Sequence, residues 1–264
     1  MYLFSIKSEL EYGNGGIGMK KSLFGWIVFL LEEYGQYFWQ GTVKTLQVAV
    51  GGTILGFVLG FLAGVIQSTP IAPEDHKLKK IIYRILKFLC TVYVHIFRCT
   101  PMMVQAMVIY YGLRQSGVNV SPFIASIVVI TLNTGAYMAE TVRGGMQSID
   151  PGQFEGGKAL GMSHGQIMFN IILPQTIRNI FPEMGNNFIT NLKMTSVLNV
   201  IGISELYFAT KTAANTYYKY FEAYLITGVI YLLLCEISTI LFSLLEKKLQ
   251  GKNDYELAAE YLEE

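Results

Sequence analysis

Four ionisable residues stand inside or at the edge of long apolar runs: Arg98, Glu140, Arg143 and Lys193. A charge within such a run is expensive, so it faces a polar cavity or another charge. Glu140 and Arg143 are three residues apart, share a helix face and can pair. One anionic acceptor among cationic donors suits a ligand that carries both an ammonium and a carboxylate. Glu140 is the candidate for the ammonium, and Arg98 and Lys193 are the candidates for the carboxylate. Gln105, Asn133, Tyr137 and Thr195 are candidates to orient that ligand by hydrogen bonds. The competing role for the charges is to tie helices together or to mark a cytoplasmic mouth. Hydrolytic and metal chemistry find no support. His76, His95 and His164 are scattered without ligand spacing, and no Ser/His/Asp arrangement can be drawn.

Long helices must position these residues. The chain has 264 residues, 52% hydrophobic and 15% charged, against about 25% charged in soluble domains. The apolar residues come in long runs, which predicts a membrane protein. A net charge of +1 gives no bulk attraction to nucleic acid. Cys90, Cys99 and Cys235 fall in apolar runs and read as buried small hydrophobes, not disulfides or metal ligands. Met1 to Gly18 is mixed polar and lacks the apolar core of a signal peptide.

Five spans are expected, over residues 42–66, 86–113 (broken by Pro101), 121–147, 188–207 and 218–245. Residues 22–40 hold Glu32, Glu33 and Gln36 and too short an apolar run. They read as an interfacial helix with Trp26, Trp39 and tyrosines at headgroup level. In the first span Gly52, Gly56, Gly60 and Gly64 recur every four residues and form a smooth stripe for close helix packing. Residues 67–87 read as a polar connector carrying Lys77, Lys79, Lys80, Arg84 and Lys87. With five spans and the N-terminus outside, ten basic residues fall in inside segments and three in outside loops. The polar segment 148–187 and the tail then face the cytoplasm.

That polar segment predicts structure of its own. Asp150 is an N-cap candidate and Pro151 suits the first helical position. The helix should run to about Leu160, where Gly161 supplies the backbone freedom that ends it. Ser163 and Gln166 have capping-box spacing for a second short helix, and Pro174 falls near the end of the apolar stretch 167–173. Two helices about a glycine turn make a compact knob that moves as a rigid body. Gly152-x4-Gly157-Lys158 looks like the start of a P-loop. However, Ala159 stands where Ser or Thr would ligate magnesium, and a span precedes it instead of a strand. Nucleotide is therefore expected on a partner chain.

The same segment resembles the EAA loop of ABC-importer permeases, EAA-x3-G-x9-I-x-L-P. Glu155, Gly161, Ile171, Leu173 and Pro174 occupy its positions, and Gly156 and Gly157 replace the two alanines. Each glycine weakens a helix by about 1 kcal/mol, which softens the loop or lets a partner approach more closely. Phe97-Arg98-Cys99-Thr100-Pro101 resembles the FRGTP motif of polar amino-acid permeases. Gly135 to Gly145 resembles their GAYxAExxRGG signature, and Leu192 to Ser196 their LKxTS motif. The likeness runs from about residue 41 to about residue 242.

The resemblance implies a type I permease: an all-α membrane protein with five transmembrane helices and a cytoplasmic coupling helix. It divides the chain into an N-terminal arm with an interfacial helix (1–40), a transmembrane domain (41–243) holding the coupling loop (150–174), and a cytoplasmic tail (244–264). It implies a multi-pass protein of the cytoplasmic (inner) membrane, with its N-terminus outside. It also implies a second permease subunit, identical or not, an extracytoplasmic substrate-binding protein, and an ATPase dimer that binds ATP and Mg. The chain itself is then non-catalytic and carries no cofactor, and its cargo is a polar amino acid or another small zwitterion such as an opine or cystine. A secondary transporter would need an inverted repeat or half-helices, and a membrane hydrolase a nucleophile and base. The sequence offers neither.

Overall fold

The computed structural model describes residues 22–69 and 76–250, and these are helical with no strand among them. The helices are α1 (Leu23–Ser68), α2 (Lys77–Cys99), α3 (Met102–Gln115), α4 (Pro122–Gln147), α5 (Pro151–Ala159), α6 (His164–Ile167), α7 (Leu173–Met194), α8 (Leu206–Tyr217) and α9 (Tyr220–Gln250). A π-turn, Met168–Ile172, joins α6 to α7, and a 3-10 turn, Thr195–Ile201, follows α7. By length and hydropathy α1, α4 and α9 suffice to cross a membrane. The pair α2 and α3, bent by 113°, qualifies as one broken span.

Four expectations need correction. First, no boundary separates an interfacial helix from the first span: residues 23–68 form one helix of 46 residues, about 69 Å long. Gly41 does not break it. A Cβ there would lie 2.8 Å from Leu206 Cα, so this glycine serves packing against α8. The helix exceeds a hydrocarbon core of about 30 Å, so part of it lies outside that core or it is steeply tilted. Second, residues 77–87 are not a connector but the first half of α2. Aliphatic residues interleave with the lysines there and give an amphipathic period. Third, residues 188–207 are not one span. α7 stops at Met194, the 3-10 turn ends at Gly202 with φ +87°, and α8 occupies what reads as a loop at 208–217. Fourth, Cys99 is exposed and Cys90 and Cys235 are half-exposed, so none is buried. The tail call at 251–264 and the calls on residues 1–21 lie outside the described residues.

The centre of the fold is the contact of α1 with α4. The glycine stripe lies along it. A Cβ on Gly52 would sit 2.6 Å from Ile130 Cγ2, on Gly56 2.6 Å from Thr134 Cβ, and on Gly64 2.7 Å from the Ala139 carbonyl oxygen. Only glycine allows two helix backbones so near. Beside the stripe Asn191 of α7 donates to Thr53 Oγ1 (2.7 Å) and Thr134 Oγ1 (2.8 Å), which joins three helices by a buried polar knot. Val48, Ala106, Val129, Ile130 and Leu198 form the apolar core above it, and Leu30, Phe38, Leu206 and Ala213 a second core where α1 meets α8.

Candidate functional site

The polar segment 150–174 folds as two short helices against the ends of α4 and α7. Asp150 Oδ1 accepts from the Gly152 N–H at 2.7 Å, and Pro151 opens α5. The helix closes where the Gly161 N–H donates to the Lys158 carbonyl and the Met162 N–H to the Gly157 carbonyl. Gly161 adopts φ +77°, the left-handed conformation that glycine takes without strain. Both halves of the Ser163–Gln166 capping box are present. Ile149, Ile167 and Ile172 are buried together, with Met146 and Phe154 against them, so the knob is bolted to the base of α4. Residues 152–158 lie within or adjacent to α5 and follow a helix. That is not the strand–loop–helix setting of a P-loop.

Pro174 does not close the segment. It sits in the first turn of α7, where a missing N–H breaks no helical bond. Its ring would crowd the carbonyl four residues back, and the chain widens there into a π-turn with the Leu173 N–H donating to the Met168 carbonyl. Glu155 is exposed on α5, and Leu160 at its end (82%) and Phe169 in the π-turn (74%) are exposed as well. Large apolar side chains on a small polar knob mark a surface that another protein covers.

The two glycines in the alanine positions differ. Gly156 is exposed with nothing within 4 Å of a Cβ, whereas a Cβ on Gly157 would lie 2.8 Å from Ile167 Cγ1. We expect Gly156→Ala to stabilise α5 by up to about 1 kcal/mol. Gly157→Ala should gain nothing or lose stability, because the buried Ile167 must yield. Thermal unfolding of the two variants in detergent checks the difference.

Three of the four charged residues, Arg98, Glu140 and Arg143, form one cluster. Glu140 accepts from Arg143 Nη2 at 2.7 Å and from Arg143 Nε at 3.4 Å, and Arg98 Nη1 stands 3.6 Å from the same carboxylate. The Arg98 guanidinium also lies over the Tyr137 ring, 5.6 Å from its centre. Glu140 and Arg143 line a cleft of about 260 Å³ with Gln67, Lys87, Thr91 and His95. Gln105 and Asn133 form a neighbouring group. Gln105 Nε2 donates to the Phe97 carbonyl, the Thr100 carbonyl and Thr100 Oγ1 at 2.8–2.9 Å, and Asn133 Nδ2 donates to Gln105 Oε1 at 3.0 Å. These two amides tie off the carbonyls that the break at Pro101 leaves unpaired. Lys193 and Thr195 join neither group by hydrogen bond or ion pair. Lys193 is exposed, and Thr195 is buried with its hydroxyl donating to the Leu192 carbonyl.

Two buried polar residues were not foreseen. Asn191 was hidden because it falls next to the LKxTS stretch within a presumed span. Glu205 is fully buried and caps α8, accepting from the Tyr207 and Phe208 N–H groups at 2.8 and 2.9 Å. Its signal was Gly202 and Ser204 interrupting an apolar run, a break followed by an acceptor.

Comparison with known proteins agrees with this geometry. The family model for the binding-protein-dependent transport system inner membrane component matches residues 52–251. The arginine transport system permease protein ArtQ of Bacillus subtilis is 32% identical over 81% of this chain and 93% of its own length. The putative glutamine transport system permease protein GlnP of Rickettsia conorii is 31% identical over 84% and 97%. A solved structure described as an amino acid ABC transporter with histidines superposes with a TM-score of 0.74 at 32% identity, covering 83% of this chain and 97% of that one. With that likeness along most of its length, the chain belongs to the binding-protein-dependent transport system inner membrane components, as an all-helical ABC-importer permease.

Proposed function

We propose that the chain is the permease subunit through which an ABC importer moves a polar amino acid across the cytoplasmic membrane. The observation that carries the cargo class is the Arg98–Glu140–Arg143 cluster beside a small cleft. It offers both charges that a zwitterion needs, and relatives of matching length are named for arginine and glutamine. In this reading Glu140 receives the ammonium, Arg98 the carboxylate, and Tyr137 flanks them. Lys193 and Thr195 act farther along the path, and Gln105 and Asn133 hold its wall.

The knob is the coupling element. Glu155, Gly156, Gly157 and Gly161 meet a cleft on a cytoplasmic ATPase dimer, and Ile171, Leu173 and Pro174 pass its movement into α7. ATP and magnesium bind that partner, which makes this chain a non-catalytic subunit. ATP-bound and ATP-free ATPases hold the knobs differently, and this difference in affinity drives the switch between inward and outward access. A second permease subunit completes the pore, and an external binding protein delivers the cargo. The N-terminus faces outward and the tail faces the cytoplasm, the orientation that the larger number of basic residues in the inside segments favours.

The test is uptake by proteoliposomes holding this chain with the ATPase and binding protein encoded beside it, against a panel of polar amino acids. Uptake that needs both ATP and the binding protein is the expected result. Uptake without the ATPase would overturn the reading in favour of a secondary transporter.

A further inference from the structure

We propose that the first half of α2 is a binding surface for anionic phospholipid headgroups. Val94 is the one buried residue of this helix. Cys90 and Tyr93 pack beside it against Ala63 and Ala139. From there the helix runs antiparallel to α4: the Phe97 carbonyl accepts from Asn133 Nδ2, Val94 clusters with Ala139, and Lys87 shares a cleft with Arg143. α4 ends four residues beyond Arg143, at Gln147. α2 extends ten residues beyond Lys87, to Lys77, or about 15 Å. Its first turns therefore reach beyond the end of α4.

These turns have two chemical sides. Lys77, Arg84 and Lys87 recur at helical spacing and form a cationic stripe, exposed at Lys77 and Arg84 and half-buried at Lys87. The adjoining side carries Ile81, Ile85 and Phe88, exposed by 52%, 53% and 66%. A helix with a basic stripe beside an apolar flank matches the boundary of a bilayer, where acyl chains cover the flank and lipid phosphates meet the cations.

Charge decides between occupants. A second copy of the chain would bring the same cations against the stripe, and like charges repel. An acidic surface of an ATPase would match the cations but leave the aliphatic flank in water. An anionic membrane satisfies both sides at once.

Retention of fluorescent phosphatidylglycerol and phosphatidylcholine by the full-length chain in neutral detergent tests this. The expected result is about tenfold preference for phosphatidylglycerol at low salt. The preference should fade at about 1 M salt, where the screening length falls to about 3 Å. Lys77→Gln, Arg84→Gln and Lys87→Gln together should lower the preference at least about fivefold, while Lys77→Arg with Lys87→Arg preserves it. Equal retention of the two lipids by the unaltered chain overturns the proposal, whether or not the triple variant folds. So does a preference that survives the triple variant, or displacement of phosphatidylglycerol by the partner ATPase, which would assign the stripe to a protein.

Discussion

Glu155→Lys is expected to lower ATP-driven uptake by more than tenfold while the chain stays folded and inserted. Glu155 is exposed on α5, so the substitution disturbs no buried contact within the chain. What it changes is the charge offered to a partner. Reversing a charge at a desolvated contact costs about 2–5 kcal/mol, enough to weaken docking by about thirtyfold or more at the lower bound. Intrinsic ATPase activity of the partner should survive, and its stimulation by the permease should disappear. If Glu155→Lys transports at the normal rate, the knob is not the coupling element.

The knob was legible because its signals are local. An Asp-Pro helix start, a glycine at a left-handed turn and a Ser–Gln capping box each act within a few residues, and all three occur where the sequence puts them. The Glu140–Arg143 pair was legible for the same reason, since three-residue spacing alone brings the side chains together. The boundary at Gln40 is absent because Glu32, Glu33 and Gln36 shorten the apolar run without interrupting the helix. Glu32 and Glu33 are exposed on one continuous helix, and no residue there forces a break. The region 188–207 failed differently. Average hydropathy hides a left-handed Gly202 and a buried Glu205 cap. Whether Gln105 and Asn133 orient a ligand or close off carbonyls at Pro101 depends on long-range partners such as Phe97, and spacing along the chain is silent on that.

Gly60→Leu should abolish the assembled permease. A Cβ at this position would lie 2.6 Å from the Gly135 carbonyl oxygen and 3.0 Å from the Ala139 backbone nitrogen. Neither is the flexible end of a side chain, so α1 and α4 must separate along their length. Overpacking costs about 1–3 kcal/mol per site and more where backbone is in the way. Gly60→Ala should fall in that range and Gly60→Leu beyond it. Gly35, on the same helix, has nothing within 4 Å of a Cβ, and Gly35→Ala should unfold no earlier than the unaltered chain. On the proposed function the damage reaches transport, because α4 carries the charged cluster and the base of the knob. Glu140 follows Ala139 directly, and Met146, near the end of α4, packs in the knob core with Ile149. A helix pushed off the glycine stripe therefore moves the charged cleft and the knob together. Thermal unfolding in detergent, read beside ATP-driven uptake, checks this: a Gly60→Ala variant with unaltered melting would mean that the stripe is not a close contact.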